Sequence, residues 1–355
     1  MRTLRHAVLT AFVATAGLMF SSCGGGISGS VPAVSVDQGR VETAELASAS
    51  ASLYVPNSGS FSVTVYPALA HGNVAPSQDI SGSNTMFRSS LGISGTAIDR
   101  AGNLIVSTGF LCLLTFPHTA TGNVHPTKAI CGENTGISDS QEVAIDPSGD
   151  IVVANETGGF DGLGNILTFA PSANGNVKPL FTLEGAHTGL LSPVGVAFDA
   201  AGKLYVSNFD PQSITVYAAG HLNGDVAPIA TITGSKVGLT GVGGIALDKS
   251  GNIYVANGAT GGSVDNFVAE FRAGSNGNVS PIRKIAGPRT QLTGPLGIAV
   301  LPCGTIYVTN VGTAPTGVGS SVVVFSATAN GDAPPLRVLS GSNTKLNSPR
   351  FPTVH

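Results

Sequence analysis

The sequence predicts an all-β chain folded as a six-bladed β-propeller with four-stranded antiparallel blades. Three observations predict it. One unit recurs six times at a period of about 50 residues, the length of a propeller blade rather than of a helical repeat. The 355 residues include 48 Gly, no Trp and only 10% charged side chains, and Val and Ile are plentiful, a composition suited to short strands joined by tight turns. The spacing of the unit also closes on itself, so that the last residues supply the strand missing from the blade that the first ones open. The net charge of −3 leaves no Lys/Arg excess to neutralise phosphates, which excludes a nucleic-acid footprint.

In chain order the first element is a leader, residues 1–22. Arg2 and Arg5 precede an apolar run from Ala7 to Phe20, long enough for a signal sequence and too short to remain in a bilayer as a spanning helix. Ser21, Ser22 and Cys23 follow, then three glycines. A small-small-Cys directly after the apolar run resembles the lipobox of bacterial lipoproteins, with Phe20 where that family usually has Leu. The resemblance implies cleavage before Cys23 and acylation of Cys23. An ordinary signal peptide with an incidental Cys is the alternative, and both readings place the mature chain outside the cytoplasm. No other apolar stretch is long enough to cross a membrane, so acyl chains would be the only anchor. Residues 23–50, rich in Gly, Ser and Ala, read as a flexible tether, with an edge strand at Val31 to Val36 as the alternative.

The repeat occupies 51–355. A phrase Gly-Asn-Val-x-Pro, or a close relative, starts at Gly72, Gly122, Gly175, Gly224, Gly277 and Gly331. A second phrase ends at Asn57, Thr108, Asn155, Asn208, Asn257 and Asn310, and a third at Asp99, Asp146, Asp199, Asp248 and Leu301. Each copy parses into four strands. Strand A is Gly244 to Asp248 and strand B is Asn252 to Asn257. In the preceding copy, strand C is Ser213 to Tyr217 and strand D is Ile229 to Ile232. The Asp-x-x-Gly between A and B is a turn in which Asp bonds its own backbone and Gly supplies positive φ.

Closure follows from the spacing. The third phrase ends 9 residues before the second in every whole copy (99 to 108, 146 to 155, 199 to 208, 248 to 257, 301 to 310). The Gly of the first phrase precedes the end of strand A by 24 residues in four copies (122 to 146, 175 to 199, 224 to 248, 277 to 301), and 331 to 355 repeats that spacing. Phe351 to His355 is therefore expected as strand A of the blade whose strand B starts near Ala51. Numbered from there, blade 1 is split and blades 2 to 6 are whole. A ring closed in this way removes the exposed ends of a linear stack. A seventh blade made by the tether is the alternative.

Pro295-x-Gly297-Ile-Ala-Val followed by Gly304-x-Ile-Tyr-Val-Thr-Asn310 resembles NHL-type propeller repeats over nearly all of 51–355, and Ile306 to Asn310 is also similar to the motif of the YVTN propellers. The resemblance implies a scaffold rather than a reaction, because such propellers include ligand binders, sensor domains and a few lyases. Those lyases use pore-mouth His and acidic residues, for which this chain offers only His187 and Glu142, from different blades.

In a propeller the A–B and C–D turns share one face, and the B–C and D–A loops share the other. The B–C loops are the variable ones. From the strand-B Asn to the aromatic that closes strand C, blades 3, 5 and 6 span 14, 14 and 15 residues (155 to 169, 257 to 271, 310 to 325), where the others span 8 or 9. Irregular loops on a rigid scaffold commonly carry function, so this face is the expected binding surface, with Glu156, Asp161, Asp210 and Asp265 as candidates. Neutral drift of solvent loops is the alternative. On the D–A loops, a polar collar of Asn84, Asn134, His187, Lys236, Arg289 and Asn343 stands two residues past a recurring Gly, as a second binding ring or as a solvated rim. Glu142 replaces a glycine at the start of strand A, expected near the pore mouth, and Arg350 occupies a neighbouring slot in blade 1. Glu142 there suits a cation, a general base if desolvated, or a structural ion pair.

Other chemistry is missing. No His-x-x-x-His or Cys-x-x-Cys spacing occurs, and no Gly-x-Ser-x-Gly sits on a strand-to-helix elbow. Cys112 starts strand C and Cys131 ends strand D of one blade, where antiparallel neighbours meet, so a disulfide is expected if geometry allows. Cys303 is left unpaired. These readings converge on an extracytoplasmic, lipid-anchored, monomeric lipoprotein. It would bind an envelope protein, a peptide or a glycan through the B–C/D–A face, with no cofactor. The alternatives are a propeller enzyme, a lyase or lactone hydrolase with a divalent cation at the pore mouth, and a structural surface protein.

Overall fold

The computed structural model describes residues 51–87, 92–109, 111–159, 162–220, 222–258, 265–312 and 319–355. The expected leader and tether with Cys23, the candidate Asp161, and the loop segments 259–264 and 313–318 lie outside the described residues. No helix among the described residues is long and apolar enough to cross a membrane.

The described residues form six four-stranded antiparallel sheets, each a simple meander with strand A innermost. In blade 5 the strands are A, Val242–Leu247; B, Ile253–Asn257; C, Phe267–Phe271; and D, Arg283–Ala286. Strand A begins earlier than the repeat suggests, because a register shift between Val242 and Ile245 lets Val242 pair with Asn257. The A–B turn is closed by its own aspartate: Asp248 accepts N–H bonds from Ser250 at 2.8 Å and Asn252 at 2.9 Å. Each sheet is covered on both faces by its neighbours, so strand B of blade 6, Ile306–Asn310, is buried along its whole length. This is why the repeat reads as unbroken apolar runs rather than an alternation. Between blades 4 and 5, for example, Ile214 and Val216 pack with Ile253, Val255 and Phe271.

The ring closes in blade 1. Its inner strand, Thr353–Val354, runs antiparallel to strand B, Ser52–Asn57, with Leu53 opposite Val354. Ser52 and His355 exchange two backbone hydrogen bonds of 2.7 and 3.0 Å.

The Gly-Asn-Val-x-Pro phrase has a role beyond its own turn. After strand C the chain climbs along the outer edge of the preceding blade, and Gly122 forms a parallel bridge to Ile80 of strand D there. Its N–H donates to the Asp79 carbonyl at 2.6 Å, and its carbonyl accepts from Ser81 at 3.2 Å. The next residue, Asn123, accepts the Asn84 N–H at 2.6 Å. The same bridge recurs from Gly72, Gly175, Gly224, Gly277 and Gly331. Six clasps thus occupy the unpaired edge of each strand D, the edge most open to adventitious pairing. Gly82 faces this clasp at φ +116°, where a Cβ would lie 2.6 Å from Asn123 Oδ1. Cys112 and Cys131 are register partners in blade 2 and are joined by a disulfide, while Cys303 is free.

Candidate functional site

Around the axis the inner strands approach so closely that most blades use glycine. A Cβ on Gly297 would lie 2.3 Å from the Arg350 carbonyl oxygen, and one on Gly243 would lie 2.2 Å from that of Leu296. Two large side chains use the space these glycines leave. Phe351 of blade 1 lies against Gly244 of blade 5 and joins the buried cluster of Val242 and Ile245. Glu142 of blade 3 lies over Gly195, and its Oε2 accepts N–H bonds from Val196 of blade 4 at 3.1 Å and Ile245 of blade 5 at 3.5 Å.

Glu142 is only 7% exposed. The sequence places it near the mouth, whereas the structure buries it across the axis as a tie between three blades. Burial pushes its carboxyl up from 4.5 to about 8, against the opposing pull of the two N–H donors.

Above it, on the B–C/D–A face, lies a hydrogen-bonded cluster of Asp139, Gln141, Glu156 and Arg350. The Gln141 amide is its hub. Nε2 donates to Asp139 Oδ1 at 2.9 Å and to Glu156 Oε2 at 2.8 Å, and Oε1 accepts from Arg350 at 3.3 Å. The backbone holds these groups in place. Asn155, which ends strand B, accepts the N–H of Ser138 at 2.8 Å and of Asp139 at 3.0 Å, and the Glu156 N–H donates to the Asp139 carbonyl at 2.8 Å. The equivalent Asn57, Asn208, Asn257 and Asn310 hold their own D–A loops in the same way. Arg350 is fixed from blades 1 and 6, its N–H on the Pro56 carbonyl and its carbonyl accepting from Thr309 Oγ1 at 2.7 Å.

Burial raises the carboxyl pKa values of Asp139 and Glu156, with Asp139 adding to the rise at Glu156 and Arg350 opposing both. Burial also lowers Arg350, against the pull of the two carboxylates. The group is thus a mutually dependent set of desolvated charges.

The structure therefore joins Glu156 and Arg350, both expected from the sequence, with Asp139 and Gln141, which were missed. A signal for Asp139 existed. In the slot of Asp139 the other blades carry Gly92, Ser192, Gly241, Gly294 and Ser348, and only blade 3 carries an acid.

The other candidates lie elsewhere. The collar residues sit on outer D–A turns with their N–H groups engaged by the clasps, as in Lys236 to Asn278, Arg289 to Asp332 and Asn343 to Asn73, each at 2.7 Å. His187 is engaged twice by Asp225, through its N–H at 2.7 Å and through Nδ1 at 2.5 Å, and the carboxylate raises its pKa. His187 and Glu142 are thus on an outer turn and on the axis respectively, each with its own partners. Asp210 lies in the short B–C turn of blade 4, and Asp265 lends its carbonyl to Asn257 at 2.9 Å. Among the described residues no three His, Cys, Asp or Glu side chains group as metal ligands.

No family model matches the chain, and no curated protein does. Among solved structures it is similar to a protein of unknown function from Bacteroides caccae, with a TM-score of 0.57 and 15% identity, over 86% of this chain and 97% of that one. It is also similar to the WD40 β-propeller domain of Doa1, with a TM-score of 0.51 and 12% identity, over 81% and 78%. A streptogramin B lyase is more distant, with a TM-score of 0.44 and 10% identity, over 67% and 66%. At these identities the likenesses speak to fold alone, and that fold is a six-bladed β-propeller closed by its own C-terminal strand.

Proposed function

We propose that the chain is an extracytoplasmic lipoprotein whose NHL-like propeller is a non-enzymatic binding scaffold, presenting the B–C/D–A face to a partner in the cell envelope. The pore-mouth cluster carries this reading. On that face one blade carries Asp139 where the others carry glycine or serine, and Asp139 and Gln141 meet Glu156 and Arg350 in a single bonded group. Two carboxylates beside one guanidinium favour a cationic group, such as a basic side chain or amino terminus of a peptide segment. Binding is favoured over catalysis because Glu142, the carboxylate best placed to be a base, is already committed to two backbone donors. The lipobox-like Cys23 supports anchoring, and the Cys112–Cys131 disulfide suits an oxidising compartment.

A lysine-rich hexapeptide titrated into the full-length protein, read by fluorescence anisotropy, tests the site. The Asp139→Asn/Glu156→Gln double variant is expected to bind about tenfold more weakly with a thermal midpoint no lower than that of the wild type. Equal binding removes the cluster from the interface. For the anchor, intact-mass measurement of membrane-extracted protein is expected to show acyl mass on Cys23. A soluble mature chain starting elsewhere ends that part of the reading.

A further inference from the structure

On the same face, but among the outer strands, a groove of about 980 Å³ opens between blades 6 and 1. Two cross-strand pairs create it. In blade 1, Ser62 at the start of strand C stands opposite Ser81 at the end of strand D. In blade 6, Ser321 stands opposite Ser340 in the same places. In blades 2, 3 and 5 that pair is linked or larger. Blade 2 has the disulfide, blade 3 has Asn165 bonded to Glu184 at 3.2 Å, and blade 5 has Phe267 opposite Ala286. Blade 4 carries Ser213 there, but between filled neighbours. Only at the junction of blades 6 and 1 do two serine pairs face each other, and the space between them stays open.

The lining is chemically uniform. Among the described residues it includes seven serines together with Gln291, Thr293 and Asn347, and its only large aliphatic side chains are Val338 and Leu346. Among the described lining residues the one cation and one anion pair, with Lys345 Nζ 2.8 Å from Asp79 Oδ2. The wall is held from behind. Ser320 bonds the Val311 carbonyl at 2.8 Å, and Ser321 accepts from Asn310 Nδ2 at 2.9 Å. The hydroxyls of Ser81, Ser340 and Ser342 make no hydrogen bond to another described residue. A serine hydroxyl donates or accepts by rotating, which matches a ligand whose every substituent does the same. Its described lining holds no aromatic ring and only two large aliphatic side chains to seat an aromatic or lipid ligand, and an anion finds the one cation among the described lining residues already paired. The volume lies within the ordinary range for small-molecule sites.

We propose that this groove binds a neutral saccharide of two or three sugar units. It shares no residue with the pore-mouth cluster, so the proposal does not depend on the function proposed above.

The test is isothermal titration and saturation-transfer NMR of the full-length protein. The probes are cellobiose, maltotriose, lactose and diacetylchitobiose, with a sulfated disaccharide and inorganic phosphate as charged arms. At least one neutral sugar is expected to bind. Ser321→Phe, which copies Phe267 of blade 5, and Ser60→Trp at the exposed lip are each expected to weaken it about tenfold or more. Ser60→Trp decides the matter if Ser321→Phe does not fold. The proposal is overturned if no neutral sugar binds with Kd below about 10 mM, if binding survives Ser60→Trp, or if the sulfated sugar or phosphate binds more tightly than every neutral one.

Discussion

Blades 3 and 5 share one backbone plan, with the same register shift in strand A and B–C loops of equal span (155 to 169 and 257 to 271). Their fillings differ at every level of the binding face. At the axis blade 3 has Glu142 and blade 5 has Gly244. At the mouth Asp139, Gln141 and Glu156 stand where blade 5 has Gly241, Gly243 and Gly258. At the outer rim Asn165 and Glu184 stand where blade 5 has Phe267 and Ala286. The lesson is that backbone clasps and turns carry the scaffold, while side chains in a few slots give one sector a character that its neighbour lacks.

Moving a blade 3 residue into blade 5 breaks the comparison most severely. Gly243→Gln places a Cβ 2.2 Å from the Leu296 carbonyl oxygen. The expected loss is about 3 kcal/mol or more, the upper end of what overpacking costs. A urea midpoint close to that of the wild type shows that the two blades are interchangeable after all. Truncating a blade 3 residue is milder. Glu142→Ala orphans the Val196 and Ile245 N–H groups, for an expected loss of about 2 kcal/mol. A change no larger than that of a surface substitution removes Glu142 from the role of axial tie.

Charge sharpens the contrast without changing shape. The folded pKa of Glu142 is raised from 4.5 to about 8, so its protonated form is the one the fold favours. Its contribution is full below 4.5 and is lost as pH rises through about 8. Asp139 and Glu156 are raised as well and act in the same direction. Glu142→Gln is therefore expected to lessen the fall in stability across this window without abolishing it, as read by urea unfolding at several pH values. An unaltered slope places the effect elsewhere. The smallest effect belongs to what all blades share. Asn123→Ala removes one side-chain bond of one clasp, for about 1 kcal/mol, and the equivalent change at Asn278 is expected to add to it because the two clasps are far apart.

Strands, turns and closure were legible because each is local or periodic. The Asp248 turn and the Asn at the end of strand B carry their chemistry within one copy of the unit. The clasp was not legible. Asn123 bonds Asn84, some 40 residues back in the preceding copy, and a repeat aligned on itself conceals a contact between its copies. Glu142 was visible as a break in the glycine column, but its depth depends on Gly195 and Gly244 approaching from other blades. Asp139 was open to the same column-by-column comparison, whereas the column of Gln141 varies from blade to blade (Ser94, Val194, Gly243, Leu296, Arg350) and gives no such signal. The serine groove was not, because it needs two ordinary-looking pairs to face each other across a junction.

The pairing of Leu53 with Val354 has a consequence for how the molecule comes into being. Blades 2 to 6 assemble from neighbouring hairpins, whereas blade 1 waits for a partner about 300 residues away, at a loop-closure cost about 3 kcal/mol greater than that of a ten-residue hairpin. Sealing the annulus is then expected to be the late and slow event. A nascent chain threaded out amino end first carries a half-built first sheet, its inner margin unguarded, until its tail arrives.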